Sequence, residues 1–355
     1  MGDGTDGWWQ DATSVCAGLA GKPAPDLQEW YRVGDGYLSV RSDDEPFRSR
    51  MQTLFRECTV AAPGDDELPR VACLVRTSDD ACVALITFED PQPLDLYAFG
   101  LGIFPDRGFT EVASSVPDWR ILGLPSADGI DGVAIREPHM LVHRSTRWQA
   151  LVGSLAFSRL IRRQKELLFF HAGSIGIGDH GVLLVGPKGA GKTTLSMALA
   201  ARGHSFLGDE IAGVRVRSLE LVPVRRSLAV RDGPRAAEVS LALDREEAPY
   251  EPFPDGTQRR RSYARALFPG TGAAPTPLRQ IIFLRGFGPE ARLERVQPGR
   301  EHLGLLTPLG ATMWGMNPVQ RARDFLSIVT RVRCSTLTLG PPDETALLLE
   351  QSLEG

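Results

Sequence analysis

Residues 185–210 read VGPKGAGKTTLSMALAARGHSFLGDE, and two signals are fused in that one line. From Gly186 to Thr193 the chain fits G-x-x-x-x-G-K-[ST]. An apolar run, GVLLVG, precedes it, and a helix-forming run over 192–202 follows, with Gly203 placed to cap its C-terminus. Such glycines permit backbone angles that aim successive N–H groups at an anion, and the helix N-terminus adds its dipole. The pattern therefore predicts a cradle for the phosphates of a nucleoside triphosphate, made of Gly186, Pro187, Lys188, Gly189, Ala190, Gly191, Lys192, Thr193 and Thr194. Lys192 is expected to reach the β- and γ-phosphates, and Thr193 to place its hydroxyl on Mg²⁺.

The second signal is the acid pair Asp209 and Glu210, only 17 residues after Lys192. It follows RGHSFLG and precedes IAGVRV, a strand-like run, so the predicted path is strand, loop, helix, short return, acids, strand. That path brings the acids back beside the phosphates. Spacing alone leaves an ordinary helix-to-strand turn equally open.

Outward from this core, LFFHAGSIGI and GVLLVG read as strands entering the site, RQIIFLRGF (279–287) as another buried strand, and CSTLTLG with DETALLLEQSL as a closing strand and helix. Asn317-Pro318 predicts a helix start running to about Arg331. Residues 248–277, rich in Pro, Gly and Arg without an apolar period, are expected to form a mobile surface loop. On the N-terminal side, YRVGDGYLSVRS (31–42) predicts a strand pair across a Gly-Asp-Gly turn. PFRSRMQTLFREC (46–58) predicts a helix burying Phe47, Met51, Leu54 and Phe55. RVACLVRT and ACVALITFED predict two strands. Residues 145–168 carry the i, i+3, i+4, i+7 pattern of a helix with Ser145 as its N-cap. The domain reading is thus an N-terminal α/β unit over 1–144 for recognition or scaffolding, a bridging helix over 145–168, and a catalytic unit over 169–355.

The chain has 355 residues, 42% apolar and 24% charged, as in globular proteins that bury a substantial core. A net charge of −4 and a pI near 5.9 speak against nucleic-acid or membrane-surface partners. No run reaches the length of about 18 apolar residues that crosses a bilayer. The start, MGDGTDGWWQ, lacks the basic head and apolar core of a signal peptide, so a cytoplasmic location is expected. The five cysteines, Cys16, Cys58, Cys73, Cys82 and Cys334, show no CxxC spacing and read as buried free thiols.

The stretch HAGSIGIGDHGVLLVGPKGAGKTTLSMALAARGHSFLGDE (171–210) resembles the catalytic domain of the HPr kinase/phosphorylase family and, more distantly, ATP-dependent phosphoenolpyruvate carboxykinase. The likeness is strong over about 50 residues and weaker over 167–353. Two departures stand out: Glu210 replaces the family's second Asp, and Lys188 replaces its usual loop serine. The N-terminal unit does not look like that of the bifunctional enzyme. A nearer likeness is to HPr-kinase-related peptide kinases, including lasso peptide kinases, which phosphorylate a serine hydroxyl of a precursor peptide. The resemblance implies an α/β fold with a P-loop catalytic domain, an upstream histidine, His171, beside the site, and a tendency to oligomerise that leaves a homo-oligomer open. It does not imply the reverse phosphorylase activity.

Phosphoryl transfer asks a protein to fix the γ-phosphate, neutralise its charge and hold the acceptor in line. The expected division has Thr193 and one acid on Mg²⁺, Lys192 on the transferring group and the other acid as base, with Asp209 assigned as base and Glu210 to the metal. His171 would position the hydroxyl or the phosphate. Arg225, Arg226 and Arg231 are expected near the phosphates, where a planar fork suits phosphate oxygens, although solvated strand charges would look the same. Arg259, Arg260, Arg261 and Arg265 are expected as solvated loop charges, with contact to an acidic peptide or closure over the phosphates as the alternative. The reading is an ATP- and Mg²⁺-dependent kinase acting on a hydroxyl of a peptide or small protein. A small-molecule kinase and a nucleotide-binding regulatory ATPase remain open.

Overall fold

This structure, a computed structural model, describes residues 8–64, 69–78, 83–94, 110–112, 116–126, 129–143, 148–231, 237, 239–248, 250–252, 258–306 and 317–354. Ser145 and Cys82 lie outside the described residues. The chain is a mixed α/β protein that divides into two compact units, Met1–Gln52 with Thr59–Arg163, and Thr53–Cys58 with Gln164–Gly355. Among the described residues no helix is long and apolar enough to cross a membrane.

The first unit is built on a nine-stranded sheet with strand order β3-β1-β2-β4-β5-β9-β8-β7-β6. Its strands are β1 (Gln28–Val33), β2 (Gly36–Ser42), β3 (Thr59–Val60), β4 (Arg70–Ser78), β5 (Val83–Phe88), β6 (Thr110–Val112), β7 (Arg120–Ser126), β8 (Gly129–Arg136) and β9 (His139–His143). The hairpin expected over 31–42 is present, with Val33 opposite Gly36 across the turn. Helix α1 (Ala12–Ala20) buries Ala12, Cys16 and Leu19. Helix α2 (Glu45–Phe55) buries Phe47, Met51, Leu54 and Phe55, as its periodicity predicts. Helix α3 (Trp148–Arg163) lies wholly within the first unit and stacks Trp148 on Phe47 with ring centroids 5.5 Å apart. Its Arg159 is buried because Asp90 accepts from Nε at 2.8 Å and from Nη2 at 3.0 Å, so the charge is paired out of water.

The second unit holds the quoted stretch. Its main sheet runs β10 (Leu167–Phe170), β14 (Ala212–Arg215), β15 (Glu220–Val222), β19 (Thr276–Phe287), β12 (His180–Val185), β11 (Gly173–Ile177), β13 (Ser205–Gly208), and β21 (Arg333–Leu339) joins β19 with β20 (Arg292–Arg295) beyond it. The β12–β19 and β19–β21 pairs are parallel. Both faces of this centre are covered, which is why its strands read as continuous apolar runs rather than alternating ones. Along β12, Val182 and Leu184 enter one core with Leu195 and Leu199 of α4 (Lys192–Ala201). Leu183 and Val185 enter the other, with Ile328 and Val329 of α5 (Pro318–Arg331). Helix α5 starts where Asn317-Pro318 predicts, the Asn317 side chain accepting from the Gln320 N–H at 2.7 Å. Helix α6 (Pro342–Glu354) packs Ala346 and Leu349 into the α4 side.

One expectation is overturned. Residues 258–262 are no mobile loop but strand β18 (Gln258–Ser262), the middle of a small antiparallel sheet between β16 (Leu228–Arg231) and β17 (Tyr250–Pro252). Ion pairs replace apolar alternation there. Arg259 and Arg261 share Glu251, at 2.8 and 3.0 Å, while Arg260 turns to Asp244 at 2.5 Å.

Candidate functional site

Strand β11 pairs antiparallel with both β12 and β13, so β12 and β13 point the same way with β11 between them. The ten-residue helix α4, about 15 Å long by its rise, carries the chain back from the end of β12 to the start of β13. Both strands then deliver their carboxyl ends to one edge of the sheet. The loop 186–191 leaves β12 there, and Asp209 follows β13 there. The short spacing between lysine and acids is the length of one strand–helix–strand crossover, with no insertion.

The loop is held tightly. Gly191 adopts φ 95°, the left-handed region, and a Cβ at that position would stand 2.4 Å from Leu339 Cδ1. Only glycine meets both demands. The buried Lys192 turns its Nζ back over the loop, donating to the carbonyl oxygens of Gly186 at 2.7 Å and Pro187 at 3.1 Å. Burial lowers its pKa, while Asp209 and Glu210 pull it back up. A desolvated ammonium facing two acids is suited to meet phosphate oxygens as a point charge. Pro187, Lys188 and Gly189 are exposed, Thr193 and Thr194 half-buried, and Ala190 buried.

Thr193, one step into α4, donates its hydroxyl to Asp209 Oδ2 at 2.8 Å. Asp209 is only 8% exposed, and its Oδ1 is buried without a hydrogen-bond partner. Its pKa rises from 3.8 to about 6, first through burial and then through the neighbouring Glu210 charge, against the hydrogen bonds of the Thr193 hydroxyl and the Glu210 backbone and the charge of Lys192. A buried, unpartnered carboxylate oxygen beside a threonine hydroxyl is the donor set of a hard cation, and Mg²⁺ takes few protein oxygens, filling the rest with phosphate and water. Consistent with that, no group of three or more His, Cys, Asp or Glu among the described residues forms an all-protein metal site. The residues present fit Mg²⁺.

Glu210 is exposed and sits at φ 63°, a strained angle for a side-chain-bearing residue. His171, between β10 and β11, closes on it from the other side. His171 Nδ1–H donates to the Glu210 carbonyl oxygen at 2.9 Å. Because that partner only accepts, the proton of the neutral ring belongs on Nδ1, leaving Nε2 as the acceptor. The structure thus brings His171, Lys192, Thr193, Asp209 and Glu210 to one place.

Of the arginines expected near the phosphates, Arg225 is held by protein partners instead. Arg225 is 4% exposed and its guanidinium is fully occupied by structure. Nε donates to the Phe206 carbonyl at 2.7 Å, Nη2 to the carbonyls of Thr271, at 3.1 Å, and Gly272, and Nη1 faces Glu57 at 3.4 Å. Arg226 lays its guanidinium over the Phe55 ring, 5.3 Å from the centroid. Glu57, which the sequence reading passed over, also accepts from the Ala264 N–H at 2.9 Å, tying 53–58 into the second unit.

No family model matches the chain, and no curated protein matches it. Among solved structures it is similar to the Hpr(Ser) kinase/phosphatase from Coxiella burnetii, at 18% identity and a TM-score of 0.25, over 52% of this chain and 88% of that one. At that score the likeness identifies neither family nor activity.

Proposed function

We propose that this chain binds a nucleoside triphosphate with Mg²⁺ at the loop 186–191 and transfers the γ-phosphoryl group to a hydroxyl, acting as an ATP-dependent kinase. The observation that carries the reading is the 2.8 Å bond from Thr193 to the buried Asp209, with the second Asp209 oxygen unpartnered. Loop, lysine, hydroxyl and acid are assembled as phosphoryl transfer requires. Bound Mg²⁺ would neutralise charge developing on the phosphate oxygens.

The geometry favours a division of the acids opposite to the expected one. Asp209, buried against Thr193, suits the metal side, where a cation would keep it ionised. Glu210, exposed beside His171, suits the proton of the acceptor hydroxyl. Its oxygen takes that proton as the hydroxyl attacks phosphorus and the bond to the β-bridging oxygen breaks. His171 holds the Glu210 backbone in place, and Lys192 meets the transferring group. The acceptor class, a serine-type hydroxyl of a peptide or small protein, rests on the sequence resemblance alone.

The test is intact-mass spectrometry of candidate precursor peptides incubated with the protein, ATP and Mg²⁺, beside Asp209→Asn and Glu210→Gln. A gain of one phosphate on peptide, abolished in both variants, supports the reading. ATP consumption with no peptide gaining mass moves the acceptor to a small molecule. Binding without consumption leaves a regulatory nucleotide binder and sinks the kinase.

A further inference from the structure

The phosphate cradle says nothing about what lies beyond the α-phosphate, yet the sheet edge continues past it. Strands β12, β19 and β21 are parallel, so their carboxyl ends share the edge from which the loop departs. In open α/β sheets ligands bind outside those ends. At this edge Phe287, the last residue of β19, is 66% exposed. Its ring is exposed while the centre of the strand is buried.

It is also deliberately aimed. Leu284 pairs with Leu337 and Phe287 with Leu339, so three steps on β19 match two on β21, and one extra residue is bulged between them. Gly286, at φ 102°, supplies the left-handed angle within that bulge. Residues three apart on a regular strand face opposite sides. The bulge reverses this and puts Phe287 on the Leu284, Leu337 and Leu339 side, where α4 packs. The ring arrives beside the loop: a Cβ on Gly191 would stand 3.1 Å from Phe287 Cζ and 2.4 Å from Leu339 Cδ1.

Resting on the nucleotide reading above, we infer that Phe287, backed by Leu339, is the platform on which the nucleobase stacks. An aromatic face next to the last glycine of the phosphate cradle suits one flat apolar partner, the heterocyclic base carried by those phosphates. Stacking reads no base edge, so the site takes ATP and GTP alike and holds pyrimidine nucleotides more weakly through their smaller faces.

The test measures dissociation constants of Mg²⁺·ATP and of inorganic tripolyphosphate for wild type, Phe287→Ala and Phe287→Trp. The expected result is a loss of about five- to 150-fold for ATP in Phe287→Ala, the span of one base–aromatic stack, with tripolyphosphate unchanged. In Phe287→Trp, ATP binding is retained and, after subtraction of the wild-type signal, the added indole's emission is altered by ATP but not by tripolyphosphate. Unchanged ATP affinity in Phe287→Ala overturns the inference. Equal losses for ATP and tripolyphosphate overturn it too, since the ring would then merely prop the loop. A wild type that binds neither ligand defeats the nucleotide reading itself, a different failure.

Discussion

Replacing Asp209 by Asn should shift the balance of stability towards the variant as pH rises and remove the response to Mg²⁺·ATP. Burial and Glu210 raise the Asp209 pKa from 3.8 to about 6, so the folded state holds this proton more tightly than the unfolded state does. Above about pH 6 both states are ionised and the fold bears the whole cost of a buried charge. Well below pH 3.8 both are protonated and that cost is gone. At 1.36 kcal/mol per pH unit, the gap between 3.8 and about 6 corresponds to about 3 kcal/mol. Asn keeps an oxygen for Thr193 but carries no charge. Its amide brings a packing and hydrogen-bonding cost of its own, and that cost does not vary with pH. The quantity to measure is therefore the difference in unfolding free energy, variant minus wild type, at pH 8 and again at pH 4, from urea titrations. It should be more positive at pH 8 by about 2.4 kcal/mol, since about 0.6 kcal/mol of the full cost is still present at pH 4, and most of the change should develop between about pH 4 and 6. Saturating Mg²⁺·ATP, at a hundredfold over its dissociation constant, should add about 2.7 kcal/mol to wild type and nothing comparable to the variant. A variant-minus-wild-type difference that is flat from pH 4 to 8 would refute the claim that Asp209 is a buried, unpaired acid.

The remaining expectations are simpler. Glu210→Gly relieves a left-handed angle costing about 1–2 kcal/mol and removes the charge next to Asp209, so the melting temperature should hold or rise while phosphoryl transfer is lost; calorimetry beside the mass assay checks both. Gly191→Ala forces a methyl against Leu339 at an angle alanine avoids, and should cost about 2 kcal/mol or more in urea unfolding as well as nucleotide binding. Glu350, at the end of α6, accepts two bonds from Arg202 at 2.7 Å and one from His204 at 2.7 Å. Those bonds, Arg202's first, push its pKa down to about 2, so its contribution is complete above about pH 4.5 and disappears as pH falls towards 2. Glu350→Gln should cost about 1 kcal/mol at pH 7, and the gap from wild type should close in acid. Cys58 and Cys73 are buried and pushed up to about 12, so both should resist iodoacetamide in the native protein and react after unfolding, as peptide mapping would show.

Much of this site is legible in the sequence because its signals are local. A glycine pattern, a strand before it and a helix after it each have their own periodicity, and the antiparallel hairpin over 31–42 carries its own turn. What the sequence does not show is chemistry that depends on distant partners. Arg225 and a phosphate-binding arginine look the same in one dimension; three carbonyls and Glu57, far along the chain, decide that it is structural. Strand β18 has no apolar alternation, since Arg259, Arg260 and Arg261 find their partners in acids on neighbouring segments, and a hydropathy period is blind to that. Phe287 reads as the ordinary end of a buried strand. Only the extra residue in the β19–β21 register reveals which way it faces.

Several departures from local rules in the second unit lie at the shared edge of β12, β13 and β19, while others, such as the left-handed angles of Leu219 and Glu247, lie elsewhere. Gly191 and Gly286 hold left-handed angles, Glu210 holds one without being glycine, and Asp209 buries an oxygen with no partner. The Glu210 angle and the buried Asp209 oxygen cost stability in the isolated chain, and the apolar cores on both faces of the sheet offset that cost. On the proposed reading one ligand would meet these features together: phosphates at Lys192 and the loop, a divalent cation at Asp209 and Thr193, and a flat base at Phe287. An acid with one unpartnered oxygen and an exposed phenylalanine ring lie at adjoining points of that edge. The coincidence of unmet anionic, cationic and apolar demands along one edge is what favours a nucleotide with its metal over any single-feature explanation.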